Sequence, residues 1–99
     1  MTDDESKITT DHEQILEWVE KRDGRPAMVN GTQKKINQKG LLRINFPGYS
    51  EDNLEEISWN KFFKTFDEKD LVFLFQDTKP NGELSYFCKI VSKNEYLNI

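Results

Sequence analysis

Chemistry near neutral pH needs a nucleophile, a base or a metal ligand, and this chain offers one histidine and one cysteine, His12 and Cys88. His12 is the one side chain whose ordinary pKa lets it exchange a proton near pH 7. Glu13 stands beside it, but adjacent residues on a helix do not face each other. A histidine–acid pair would therefore need a carboxylate from elsewhere in the fold. Cys88 lies in the alternating run Leu84, Tyr86, Cys88, Ile90 and reads as a core residue. Neither residue has a partner at the spacing of a structural zinc site, and a single cysteine excludes an intrachain disulfide. Gly48-Tyr49-Ser50-Glu51 lacks the second glycine of a nucleophile elbow. No catalytic residue, metal ligand or cofactor is assigned.

Two charged clusters and one aromatic edge remain as binding candidates. Lys34, Lys35, Lys39 and Arg43 fall between residues 31 and 45 with no acid among them. The stretch from Gly31 to Gly40 lacks the phosphate-loop pattern, yet its lysines and backbone amides could hold an anion or a nucleic acid. Glu51, Asp52, Glu55 and Glu56 form an acidic loop without the regular positions of a calcium loop. Phe46-Pro47-Gly48-Tyr49 would place Tyr49 at a strand end, an aromatic contact of the kind enriched at interfaces. The simpler alternative is that Phe46 and Tyr49 cover one end of the core.

These residues must be positioned by a small set of elements. Helical spacing of Ile15, Trp18, Val19 and Arg22, widened by Leu16, predicts a helix over 11–22. Thr10 or Asp11 would cap it and Gly24 would end it in a left-handed conformation. Pro26 to Val29 is extended in character, and Asn30-Gly31 is a turn pair. Leu42, Ile44 and Phe46 alternate with Arg43 and Asn45, the pattern of a half-buried strand. Ser58 caps a second helix whose stripe is Trp59, Phe62, Phe63 and Phe66, with Ile57 and Phe62 in hydrophobic-staple positions. Leu71 to Phe75 is apolar throughout and reads as a central strand. With the Pro80-Asn81-Gly82 turn and the run from Leu84 to Val91 it predicts a hairpin over 71–91. Tyr96, Leu97 and Ile99 would add an edge strand or an interchain contact.

The expected fold is α+β, a mostly antiparallel sheet of about four strands with two amphipathic helices packed on one face. One domain over 10–92 follows a loose tail, 1–9, and precedes a terminal tail or edge strand, 93–99. Seven Phe, three Tyr and two Trp among 99 residues supply a core despite 32% charged residues. The acidic start has no secretion-signal pattern. The longest apolar run, Leu71 to Phe75, falls far short of a membrane span. The expected location is the cytoplasm.

Several blocks occur in a familiar order: His12-Glu13-Gln14-Ile15, Trp18-Val19-Glu20, Arg22 to Ala27, Gly40 to Tyr49, and Leu54 to Trp59 with Phe62-Phe63 and Phe66-Asp67-Glu68. Over residues 11 to 92 the chain resembles a family of small uncharacterised bacterial proteins, some of which carry the label 1,4-alpha-glucan branching enzyme. The resemblance implies a bacterial origin and one fold holding the aromatic blocks. It carries over no catalytic residue. A barrel glycosidase needs about 250 residues, and no carboxylate pair is assigned here to glycoside chemistry. Asp23-Gly24 stands where the resemblance leads one to expect Gly-Gly.

A net charge of −4 opposes broad nucleic-acid binding, which depends on neutralising phosphates. The reading that remains is a small non-catalytic module, monomer or weak homodimer, that binds another protein through Phe46 and Tyr49 or the hydrophobic tail. Nucleic-acid binding through Lys34, Lys35, Lys39 and Arg43 is the alternative, and a small-ligand or enzymatic site around His12 the second.

Overall fold

The computed structural model describes residues 6–29, 42–48 and 54–94. Lys34, Lys35, Lys39, Tyr49, Glu51, Asp52, Tyr96, Leu97 and Ile99 lie outside the described residues, as does the Asn30-Gly31 turn.

The first helix, α1 (His12–Lys21), turns Ile15, Trp18 and Val19 inward. Asp11 occupies the N-cap position, but its side chain makes no capping bond; its carbonyl accepts from Ile15 N–H at 3.0 Å. The helix ends in a paired motif in which Gly24 N–H donates to the Val19 carbonyl and Asp23 N–H to that of Glu20. The left-handed residue is Asp23, at φ 59, rather than Gly24 as the sequence predicts. Aspartate tolerates that conformation better than most side chains. Gly24 is needed for room instead. A Cβ there would sit 2.8 Å from Ile44 Cγ2, 2.9 Å from Val19 Cγ1 and 3.0 Å from Phe46 Cε1. Gly24→Ala is expected to cost about 1–3 kcal/mol through this overpacking, read as a lower midpoint in urea unfolding; an unchanged midpoint would refute the crowding.

The second helix, α2 (Trp59–Glu68), starts as the sequence predicts: Ser58 Oγ accepts from Lys61 N–H at 3.1 Å. Phe62 and Phe66 are buried, while Trp59, Phe63 and the staple residue Ile57 pack partly buried against them.

Among the described residues, six strands accompany these helices. They are β1 (Lys7–Thr9), β2 (Arg25–Val29), β3 (Leu42–Asn45), β4 (Leu54–Glu56), β5 (Leu71–Phe75) and β6 (Cys88–Ser92). The α+β class holds, but one sheet of about four strands does not. Two antiparallel three-stranded sheets form, in the orders β1-β5-β6 and β3-β2-β4. Strand β3 approaches β6, and α2 contacts both β2 and β5. The two additional strands explain the difference. Lys7–Thr9 and Leu54–Glu56 have three residues each and are largely exposed, so they lack the apolar alternation that marks a strand locally. Partners on one side recruit them as edges. Thus part of the expected loose N-terminal tail, and part of the expected acidic loop, are ladder strands.

Strand β5 is central, as its uninterrupted apolar run predicts, with Leu71, Val72, Phe73 and Phe75 buried. It pairs with β6 from Leu71↔Ser92 to Phe75↔Cys88. Ladder pairing with β5 starts only at Cys88, so the predicted run from Leu84 is shorter as a strand. Residues 76–87 form an arm that extends the hairpin. Its tip turns where Gly82 N–H donates to the Lys79 carbonyl at 2.9 Å, with Gly82 at φ 90. One core joins α1, α2 and the inner faces of both sheets. No helix among the described residues is long and apolar enough to cross a membrane.

Candidate functional site

The sequence candidates scatter over the molecule. His12 opens α1 and does find a distant acid: its Nε2 lies 2.9 Å from Asp67 Oδ1 on the last turn of α2. Its ring stacks on Phe63 at 4.1 Å and 10°, and Phe63 stacks in turn on Trp59 at 5.2 Å. Aromatic packing and the carboxylate therefore fix the imidazole. A base also needs a group to activate, and no hydroxyl or thiol among the described residues bonds to it. The half-exposed pair ties the start of α1 to the end of α2 and adds no more than about 1 kcal/mol. No group of three metal-ligating side chains occurs among the described residues.

Cys88 is half-buried at the start of β6, and burial pushes its thiol up to about 12, with Arg22 opposing the shift. The folded state thus holds this proton more tightly than the unfolded chain, where the thiol ionises near 9.0. The resulting stabilisation is complete below pH 9.0 and is lost as pH rises toward about 12. A disulfide reagent at neutral pH is expected to label native protein on the order of 100-fold more slowly than urea-unfolded protein. Equal rates would contradict a buried thiol.

Phe46 is buried, at 9% exposure, and sits edge-on to Trp18 at 6.1 Å and to Tyr86 at 5.4 Å. Its position matches the simpler alternative, a ring closing one end of the core. The outward ring beside it is Tyr86, 43% exposed, and Phe87 next in sequence is 44% exposed. Arg43 is exposed on β3, in a cross-strand row with Ala27 and Glu56. An acid thus shares the face of the one described member of the basic cluster.

The most organised polar group lies where α1 meets the 76–87 arm. Trp18 and Arg22 are four residues apart on the apolar stripe, so both point inward. Trp18 Nε1–H donates to the Gln76 carbonyl at 3.0 Å. The Arg22 guanidinium lies over the Trp18 ring with Cζ 3.9 Å from its centroid. Its Nε–H donates to the Ser85 carbonyl, Nη1 to that of Trp18 and Nη2 to that of Asp77, the last two at 2.9 Å. Arg22 is 3% exposed, and burial lowers its pKa while Asp77, Tyr86 and Cys88 oppose that. Guanidinium remains charged in proteins. Within the arm, Ser85 N–H donates to the Asp77 carbonyl at 3.1 Å and Ser85 Oγ to Gln76 Oε1 at 3.1 Å. At the outer edge Lys7 Nζ holds Asp77 Oδ2 at 2.7 Å.

Between α1 and the arm runs an open cleft of about 280 Å³. Trp18, Phe75 and Leu84 supply apolar walls, and Glu17, Lys21, Arg22 and Asp77 the charges. The arrangement can hold an extended chain, with aromatic area for affinity and a few placed polar groups for orientation. Sequence reasoning placed Arg22 on the inward stripe without drawing the consequence. A cation four residues after an inward tryptophan was the available signal. The alternating run placed Tyr86 on the face of Leu84, Cys88 and Ile90, whereas both it and Phe87 are exposed, because the irregular backbone before β6 breaks that alternation.

No protein-family model matches the chain, and neither a curated protein nor a solved structure matches it.

Proposed function

We propose that the chain is a small, non-catalytic protein-binding module acting in the cytoplasm, and that it takes an extended peptide segment of its partner along the α1–arm cleft. What carries this reading is the cleft lined by Trp18 and Arg22, beside an arm that exposes Tyr86 and Phe87 next to that lining in sequence. Exposed aromatic rings on a scaffold braced by buried hydrogen bonds are typical of binding hot spots. The resemblance to small bacterial proteins is compatible with such a module.

The test pairs Tyr86→Ala and Phe87→Ala in one variant and measures capture of partner proteins from the native cell. Circular dichroism checks that the variant is folded. A partner retained by the parent chain is expected to bind the variant at least about tenfold more weakly, the loss typical of hot-spot truncation. Equal capture by both would overturn the assignment of this surface.

A small-ligand site at His12 is the second reading, and the His12–Asp67 pair is what favours it. Binding of nucleic acid through Lys34, Lys35, Lys39 and Arg43 ranks lower, because of the net charge and the shared row of Arg43 and Glu56. Titration with DNA and RNA at low and high salt separates it from the others, since phosphate contacts weaken steeply with salt.

A further inference from the structure

We infer that Arg22 makes the floor of the α1–arm cleft a carboxylate subsite, which takes an aspartate or glutamate side chain of the partner peptide. The inference rests on the peptide-binding reading and deepens it.

The starting point is a buried cation with incomplete neutralisation. Arg22 spends one N–H on each of its three nitrogens, always on a backbone carbonyl. Each terminal nitrogen carries a second N–H, and no acceptor for either occurs among the described residues. No carboxylate lies within ion-pair distance of the guanidinium in the described structure; the nearest candidate, Asp77, directs Oδ2 to Lys7. Burial of a charge without a counter-ion is costly. Three carbonyl dipoles and the Trp18 face offset part of that cost and orient the fork, while the unused N–H groups remain on a side chain that lines an open cleft.

A carboxylate answers these conditions. It carries the missing charge and can accept from two guanidinium N–H groups. Lys21, also lining the cleft, adds a second positive charge at the rim, whereas Glu17 opposes. Among the lining charges Lys21 and Arg22 balance Glu17 and Asp77, and Lys7, paired with Asp77 at the outer edge, leaves one positive charge in excess.

The geometry favours a side-chain carboxylate over a chain terminus. Capture of a C-terminus uses a concave run of free backbone N–H groups. In the arm those of Gln76, Lys79, Gly82, Glu83, Ser85 and Phe87 are all engaged in bonds within the arm. The charged donors at the cleft are the Arg22 and Lys21 side chains, suited to one acidic residue on an otherwise extended peptide.

The experiment uses the full chain, labelled with 15N, and three pools of short peptides. One pool has a fixed central Glu and an amidated end. The second replaces Glu with Gln, and the third keeps Gln but has a free C-terminal carboxylate. The Glu pool is expected to shift the Arg22 Nε–H and Trp18 indole N–H signals and to bind about tenfold or more tightly than the Gln pool. Arg22→Lys keeps the charge but not the fork and is expected to abolish most of that preference. Should that variant unfold, Lys21→Gln provides the second arm, with a few-fold loss expected for the Glu pool alone.

Equal binding of Glu and Gln pools, or unmoved Arg22 signals at saturation, overturns the subsite. If the Tyr86 signals move in that case, the peptide-binding reading survives its loss. Preference for the free-terminus pool overturns it in favour of terminus capture. Glu-selective shifts at Arg22 in the Tyr86→Ala, Phe87→Ala variant, at undiminished affinity, support the subsite and remove the two exposed rings from the binding surface.

Discussion

Phe62→Ala is expected to lower stability by about 3–5 kcal/mol, out of a total on the order of 5–15 kcal/mol for a domain. Phe62 has no exposed surface and lies within about one ring's breadth of three others, with centroids 5.1 Å from Trp59, 5.4 Å from Phe63 and 6.1 Å from Phe66. It sits where α2 meets strands of both sheets. Truncation would leave a void that cannot collapse from one side only, since helix and sheets would have to move together. The melting temperature should fall by roughly 15–30 °C at this chain length. Phe87→Ala is the matched control: that ring is 44% exposed and should cost less than about 1 kcal/mol. Comparable losses from the two variants would mean that the aromatic core is misplaced.

Arg22→Met should cost about 2–3 kcal/mol, measured by urea unfolding. Methionine keeps much of the length and apolar contact with Trp18 but removes three charge-assisted hydrogen bonds. Hydrogen bonds to charged groups contribute about 1.5–3 kcal/mol each, and relief of the buried charge returns part of the sum. The carbonyl of Asp77 keeps a bond from Ser85 N–H, so the loss falls on the carbonyls of Ser85 and Trp18 and on the seam between α1 and the arm. Hydrogen exchange should therefore quicken first at Gln76 to Phe87. Stability within about 0.5 kcal/mol of the parent chain would show that the guanidinium bonds contribute little. The same seam walls the proposed binding cleft, so this variant also tests whether the arm must be fixed for binding.

The helices were legible because their signals are local. Ile15, Trp18 and Val19 repeat at helical spacing, and Ser58 precedes a stripe of four aromatic rings. The strand Leu71–Phe75 was legible for the same reason, as an apolar run of strand length. The tight turn at Pro80-Asn81-Gly82 also follows from its own residues. The candidate site was much less legible. Arg22 was visible on the inward stripe, but its three acceptors belong to Trp18, Asp77 and Ser85, the last 63 residues away. His12 and Asp67, 55 residues apart, give no sign of each other in sequence. Phe46 stood between a binding edge and a core end in the sequence; packing against Trp18, with room left by Gly24, buries it and leaves Tyr86 as the exposed ring.

By itself, then, the sequence determined the class of fold, the two helices, the central strand and the absence of a zinc-type cysteine–histidine set. Each depends on spacing or residue type within a few positions. The tertiary structure alone decided that Lys7–Thr9 and Leu54–Glu56 become strands, that the strands divide into two sheets, and that a buried arginine braces the arm against α1. Those outcomes depend on backbone groups that approach only when distant segments pack. A short edge strand or a carbonyl acceptor has no side-chain pattern of its own to announce it.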